Sequence, residues 1–303
     1  PKLWGRTILG TCIHPPQYIT DKERYIDQVL LAIPSLSQIR RCEIIKRISN
    51  KGIKLLLIPS IQEITSGESP ISSLREISMD DLLCRESIEP LNGLFGPGIN
   101  ESVICVTGAA GSIGSELCRQ ILRLNPSKLI FLDNHEPSLY KIINELENEF
   151  SSIKRSIIPV LANASDELVI KKLFKLHKVE IVFHAAAYKH VPIVEANPLA
   201  GIANNIISTR ILCKVAEESE VKKFILISSD KAVRPTNVMG ASKRVAEMIV
   251  QSFSQRNQQK CFSMVRFGNV IGSSGSVVPL FKELIHKGGP ITITHKDILR
   301  YFM

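Results

Sequence analysis

Four side chains in one stretch could carry acid–base chemistry. In Ser228-Ser-Asp-Lys-Ala-Val-Arg-Pro-Thr-Asn-Val-Met-Gly-Ala-Ser-Lys243 a hydroxyl (Ser229), a carboxylate (Asp230) and an amine (Lys231) are consecutive, and a second amine, Lys243, follows. Elimination across two carbons needs a base at one and an acid at its neighbour, and an adjacent carboxylate–amine pair offers both. Lys231 can act as a base only after losing its proton, which requires burial or cationic neighbours. Met239 and Lys243 lie four residues apart, so a helix beginning near Met239 sets both on one face. Successive side chains of a strand point to opposite faces, so the acid–base pair can cooperate only if the preceding strand has ended by Ser229.

A second constellation is built for an anion. Val103-Ile-Cys-Val-Thr-Gly-Ala-Ala-Gly-Ser-Ile-Gly114 puts Gly108, Gly111 and Gly114 at a strand-to-helix turn. Glycines there let the backbone close on a pyrophosphate, and the helix N-terminus adds its positive dipole end. Asp133 follows Gly114 by 19 residues, the spacing of a carboxylate that holds ribose hydroxyls. With no adjacent arginine to take a phosphate, NAD is favoured over NADP. A packing turn without a ligand is the plain alternative, which this context disfavours. In His184-Ala-Ala-Ala-Tyr-Lys-His190 the small alanines admit a dinucleotide against a strand end, while Lys189 and His190 can face a substrate. No acidic or thiol partner stands at ligand spacing from these histidines, so no metal is expected.

These groups need elements to hold them. Phe224-Ile-Leu-Ile227 reads as a buried strand. It delivers Ser229, Asp230 and Lys231 to its carboxyl end, where open parallel sheets hold their ligands. Strands are expected at 103–107, 128–132, 156–160, 180–184, 223–227 and 262–266, with helices between them, the first over 115–122. That alternation predicts an α/β fold, a doubly wound parallel sheet with right-handed crossovers. Ahead of it, residues 27–58 read as a small partial α/β module: strand 29–33, helix 39–48 capped by Ser37, strand 53–58. No glycine loop accompanies it, so its expected role is structural or regulatory. The expected division is a module over 1–65, a connecting arm over 66–101 and a catalytic domain over 102–303. Met79-Asp-Asp-Leu-Leu83 is the arm's one expected helical turn.

Composition narrows the function classes. The 303 residues suffice for two domains, and 44% hydrophobic residues argue against disorder. Lys and Arg total 38 against 29 Asp and Glu, a net charge of +9. The excess is spread along the chain, and no basic block interleaves with aromatics, which disfavours nucleic acid as a partner. A polyanionic small substrate such as a nucleotide sugar, or a nearby anionic membrane, suits it. Seven cysteines without a CxxC pair are expected to be reduced, as in a cytoplasmic setting. No signal peptide or membrane-length apolar run is read. The start at Pro1 and the stop at Met303 read as a piece of something longer, truncated in its C-terminal substrate lobe.

Together, the Thr107–Gly114 loop, His184-Ala-Ala-Ala-Tyr-Lys-His-Val-Pro192, the Ser228–Lys243 stretch and Arg266-Phe-Gly-Asn-Val-Ile-Gly-Ser-Ser-Gly275 resemble the extended short-chain dehydrogenase/reductase (Rossmann) superfamily. Within it they look most like the nucleotide-sugar 4,6-dehydratases of polysaccharide biosynthesis. The module and Asp80-Asp-Leu-Leu-Cys-Arg85 resemble the region ahead of the catalytic domain in long, membrane-anchored members. The resemblance implies NAD, a UDP-N-acetylhexosamine substrate (UDP-N-acetylglucosamine first) and a homo-oligomer. It implies a cytoplasmic catalytic domain, meeting a membrane only through an upstream segment. Carbon 4 of the sugar is oxidised, water leaves across carbons 5 and 6, and a UDP-4-keto-6-deoxy sugar results.

By the same resemblance Ser229 holds the carbon-4 oxygen, Lys231 takes the carbon-5 proton, Asp230 protonates the departing hydroxyl and Lys243 binds ribose. Lys189, His190 and Asn269 contact the substrate. Cofactor contacts fall on Gly108, Gly111, Ser112, Ile113, Gly114, Asp133, Asn134, Asn163, Ala164, Ala186 and Val270, besides Lys243. Two positions depart from the wider pattern. Met239 stands where the superfamily has tyrosine, as in the long dehydratases, and a thioether cannot be a base. The carbon-4 proton then leaves through Asp230 or a bound water. Asn163 stands where an aspartate lies near the adenine, and altered affinity is expected. Two rivals remain: an epimerase, which needs that tyrosine and has no use for the Asp230–Lys231 pair, and a non-catalytic NAD- or sugar-nucleotide-binding regulator.

Overall fold

From residue 102 onward every apolar run read as a strand forms one in the computed structural model. The structure describes residues 3–21, 25–33, 35–49, 51, 53–58, 75–76, 98–150, 156–273, 275–293, 295–297 and 302. The chain divides into two units, Pro1–Pro90 and Leu91–Met303. The expected turn at 79–83 and most of the arm over 66–101 lie outside the described residues.

In the first unit, β1 (Thr7–Ile8) and β2 (Thr11–Cys12) form an antiparallel hairpin whose turn residues, Leu9 and Gly10, both have positive φ. A short helix, α1 (Tyr18–Asp21), follows. Then β3 (Gln28–Leu31), α2 (Gln38–Ser49) and β4 (Lys54–Leu57) make a parallel βαβ unit, and β5 (Arg75–Glu76) pairs antiparallel with β4. Leu31, Ile45, Ile48, Ile53, Leu55 and Leu57 form its own small core. The hairpin and β5 were not anticipated, because two-residue strands leave no periodicity to read. Cys12, Cys105, Cys118, Cys213 and Cys261 are free, but Cys42 is disulfide-bonded, so the expectation of reduced thiols fails at Cys42.

The second unit carries β6 (Val103–Thr107), β7 (Lys128–Asp133), β8 (Ile157–Leu161), β9 (Ile181–His184), β10 (Lys223–Ile227) and β11 (Cys261–Val265). All pair in parallel, in the order β11-β10-β9-β6-β7-β8. The order reverses beside β6, where β7 lies to one side and β9 to the other. A crevice opens at that switch point, outside the carboxyl ends of the strands. Helices cover both faces. On one, α3 (Ser112–Leu122) and α4 (Glu136–Glu149) bury Cys118, Ile121, Leu139 and Leu146 against Ile104, Val106 and Phe131. On the other, α5 (Glu167–His177) contributes Ile170 and Phe174, packed with Cys105, Val182 and Phe224. Burial on both sides is why these strands read as nearly continuous apolar runs.

The chain after β9 runs through α6 (Val191–Ala196), α7 (Pro198–Ile202), a π-helical turn (Ala203–Ile207) and α8 (Ser208–Glu218). After β10 come a 3-10 turn (Asp230–Ala232) and α9 (Val238–Arg256), and after β11 comes α10 (Val277–His286). Helix α3 begins three residues before the expected Ser115, because Gly111 is extended and the helix starts directly after it. No described helix is long and apolar enough to cross a membrane.

Candidate active site

The glycine loop has a separate steric reason at two of its positions. Gly108 has φ +66, and a Cβ there would lie 2.6 Å from the Ala186 backbone nitrogen. A Cβ on Gly114 would collide with the Gly108 carbonyl oxygen. The loop after β6 can therefore lie against the end of β9, and α3 can pack back onto the loop. Helix α3 starts without a side-chain cap, since Gly111 has no side chain to accept from its first amides.

A cleft of about 510 Å³ lies over this loop. Its wall contains Gly108, Gly111, Ser112, Asp133, Asn134, Asn163, Ala164 and Ala186 of the expected cofactor residues. Asp133 is buried at its side, with Oδ2 accepting from the Ala110 amide and Oδ1 from the His135 amide, both at 2.9 Å. Asn163 Oδ1 accepts from the Ser165 amide at 2.9 Å and from its hydroxyl at 2.8 Å, so the Asn163 amide NH2 is the end turned to other partners. Ile113, Gly114, Lys243 and Val270 are not in this wall. Uncapped helix amides, a floor of small residues and a buried carboxylate suit a dinucleotide.

The stretch Ser228–Lys243 begins where β10 has already ended. Ser229 caps the 3-10 turn, so the strict alternation of the strand is broken before Asp230. Ser229 Oγ donates to Asp230 Oδ1 at 2.9 Å, Lys231 Nζ donates to the same oxygen at 3.0 Å, and Lys231 Nζ also donates to Asn269 Oδ1 at 3.0 Å. The result is one hydrogen-bonded chain of hydroxyl, carboxylate, amine and amide. Burial would raise the Asp230 carboxyl, but hydrogen bonds from Lys231 and Ser229 and the Lys231 charge outweigh it and hold it below its usual range.

The start of helix α9 is fixed by two hydrogen bonds, and a glycine sets it against this turn. Asn237 Oδ1 accepts from the Gly240 amide at 2.8 Å, and Glu195 Oε1 accepts from the Val238 amide at 2.5 Å. A Cβ on Gly240 would lie 2.5 Å from the Lys231 carbonyl oxygen, so only glycine lets the helix close this far. Met239 and Lys243 are both buried on this helix. Lys243 Nζ donates to the Ile227 carbonyl at 2.9 Å, and burial pushes its ammonium down to about 8, with the Glu247 carboxylate opposing.

Burial also lowers Lys189, and His190, the residue just before α6, lies beside Gly275, where a Cβ would come within 2.6 Å of the imidazole. His184 is buried between Thr107 Oγ1 at 2.7 Å and Thr209 Oγ1 at 3.0 Å. Burial, then the Lys243 charge, push it down to about 3, so it is a neutral bridge. Among the described residues no cluster of His, Cys, Asp and Glu could hold a metal.

Two residues escaped the sequence reading. Asn205, in the π-helical turn, accepts from the Tyr188 amide and donates to the Tyr188 carbonyl and Ser242 Oγ. Glu247 is fully buried and bonded to Ser228, Arg244 and Arg266. The signal for Glu247 was present: it continues the buried stripe of Met239 and Lys243 at four-residue spacing, and a carboxylate on such a stripe needs cationic partners.

A family model described as polysaccharide biosynthesis protein matches residues 104–303. The capsular polysaccharide biosynthesis protein CapD of Staphylococcus aureus is 44% identical over 282 residues, covering 93% of this chain and 47% of CapD. A UDP-N-acetylglucosamine 4,6-dehydratase (inverting) of Campylobacter jejuni is 35% identical over 201 residues, covering 64% of this chain and 58% of that protein. The X-ray structure of Pen from Bacillus thuringiensis superposes with a TM-score of 0.63 at 31% identity, over 68% of this chain and 64% of Pen. More distant structures, at 18% and 19% identity, share the fold, and those were solved with NAD. The chain spans about half the length of the first curated relatives it matches.

Proposed function

The chain belongs to the polysaccharide biosynthesis protein family, and we propose that it dehydrates a UDP-N-acetylhexosamine, UDP-N-acetylglucosamine first, to a UDP-4-keto-6-deoxy sugar with NAD in the cleft. The observation that carries the reading is the chain Ser229–Asp230–Lys231–Asn269 at the end of β10, on the carboxyl edge of the sheet that holds the cleft. The 4,6-dehydratase relative supports the reaction class, and the NAD-bound structures of this fold support the cofactor.

In this reading Gly108, Gly111 and the start of α3 cradle the pyrophosphate, Asp133 holds ribose hydroxyls and the Asn163 amide faces the adenine. NAD, when bound, supplies reversible hydride storage. The protein's own groups manage the protons. Ser229 holds the carbon-4 oxygen and passes its proton to Asp230 across the 2.9 Å contact. Lys231 gives its ammonium proton to solvent, takes the proton from carbon 5, and recovers a proton from solvent at the end of the cycle. Asp230 then gives its proton to the carbon-6 hydroxyl, which departs as water. Finally Lys231 returns a proton to carbon 5. The ledger closes: the carbon-4 hydroxyl proton ends in the water, and both side chains return to their starting states.

Met239 weighs against the epimerase rival. It is buried, carries no proton, and stands where an epimerase would need a tyrosine base. Mass spectrometry after incubation with UDP-N-acetylglucosamine and NAD separates the two. A dehydratase releases a 4-keto product lighter by one water, whereas an epimerase gives a product of unchanged mass, and that result would refute the proposal.

A further inference from the structure

We infer that Glu247 is the positioning residue that braces the turn bearing Ser229, Asp230 and Lys231 against the segment bearing Asn269. The inference rests on the dehydratase reading of that turn. Past the sheet, the chain after β10 and the chain after β11 run on side by side, joined by Ser228 N to Val265 O at 2.8 Å and Asp230 N to Phe267 O at 3.0 Å. One of these two short segments carries the acid and base, and the other carries the amide that receives Lys231 Nζ at 3.0 Å. Two backbone bonds alone leave such a pair of segments free to slide or splay.

Glu247 grips both from beneath. Its Oε1 accepts from Ser228 Oγ at 2.6 Å and from Arg266 Nε at 2.7 Å. Its Oε2 accepts from Arg266 Nη2 at 2.5 Å and from Arg244 Nη1 at 3.1 Å. A carboxylate has about four lone-pair sites, and all are filled. Ser228 and Ser229 are adjacent, so the first hydroxyl turns inward to Glu247 while the second turns to Asp230. Arg266 meets the carboxylate through two parallel bonds, a geometry that fixes orientation as well as distance. The Glu247 side chain is wholly buried, touches none of the reacting groups and lies one helical turn beyond Lys243. Its part in catalysis is therefore to hold other residues.

The decisive variants are Glu247→Gln and Arg266→Lys. The amide of Glu247→Gln keeps the shape but turns N–H groups toward Arg266. Arg266→Lys keeps the charge but loses the fork, at a side chain that is 41% exposed, where folding is less at stake. Glu247→Gln is expected to lower kcat on the order of 100-fold while leaving KM for the UDP-sugar and NAD binding unchanged. Arg266→Lys is expected to lower kcat less, and Glu247→Asp to restore part of the loss. Amide exchange at Asp230 is expected to quicken in both primary variants. A folded Glu247→Gln, or Arg266→Lys where the former does not fold, with wild-type kcat and wild-type exchange at Asp230 would overturn the inference. Wild-type protein run alongside keeps the two claims apart: if it produces no dehydrated sugar the dehydratase reading fails, and exchange at Asp230 alone judges the brace.

Discussion

Lys243 illustrates how burial and chemistry meet in one side chain. It is 8% exposed, its Nζ reaches the Ile227 carbonyl, and burial lowers it from 10.5 to about 8. Between those two values the unfolded chain holds the proton and the folded chain does not. Stability therefore rises with pH across that window, by about 3 kcal/mol in all, and below about pH 8 the penalty is complete. Urea unfolding followed from neutral to alkaline pH should show this rise, and Lys243→Met should flatten it. Parallel curves for the two proteins would contradict the assignment. Much at this scale was legible in the sequence: the adjacency of Asp230 and Lys231, the spacing of Asp133 and the shared face of Met239 and Lys243 all follow from residue order. What could not be read was which partners each group finds. Asp133 spends its carboxylate oxygens on the amides of Ala110 and His135, and Lys231 finds Asn269, 38 residues away.

The elements obey two different kinds of rule. Strands β6, β7, β9 and β10 are buried on both faces and the edge strands β8 and β11 less so, yet all six are apolar enough for composition to mark them, and their expected and observed bounds nearly coincide. The π-helical turn at 203–207 could not be read, because it is held by Asn205 reaching Tyr188 and Ser242 from outside its own segment. The start of α3 was misplaced for a related reason. It depends on Gly111 being extended beneath the cleft, not on the apolar spacing of the helix itself. The join between β6 and α3 is also where a small change should cost most. Gly114→Ala would drive a methyl group into the Gly108 carbonyl. The expected outcome is a loss of about 1–3 kcal/mol in thermal or denaturant unfolding, typical of overpacking, together with loss of NAD binding. A variant that binds NAD as the wild type does would show that the loop has more room than its geometry implies.

On the scale of the whole molecule, the second unit contains the cleft, the turn that bears Ser229, Asp230 and Lys231, and two cores, one on each face of its sheet. The first unit has a separate core and carries none of the expected site residues. The doubly wound order was foreseeable from the alternation of strands and helices, and with it the switch point between β6 and β9 that locates the cleft. For the proposed chemistry the sequence offers only a set of residue types, and it is the turn that sets Ser229 Oγ and Lys231 Nζ on one Asp230 oxygen. That turn is the core of the account, and deuterium incorporation tests it most directly. With UDP-N-acetylglucosamine and NAD in heavy water, NMR of the wild-type product should show deuterium at carbon 5. Asp230→Asn and Lys231→Ala should each abolish formation of the dehydrated product. Undiminished conversion in the two variants, or a wild-type product without deuterium at carbon 5, would contradict it.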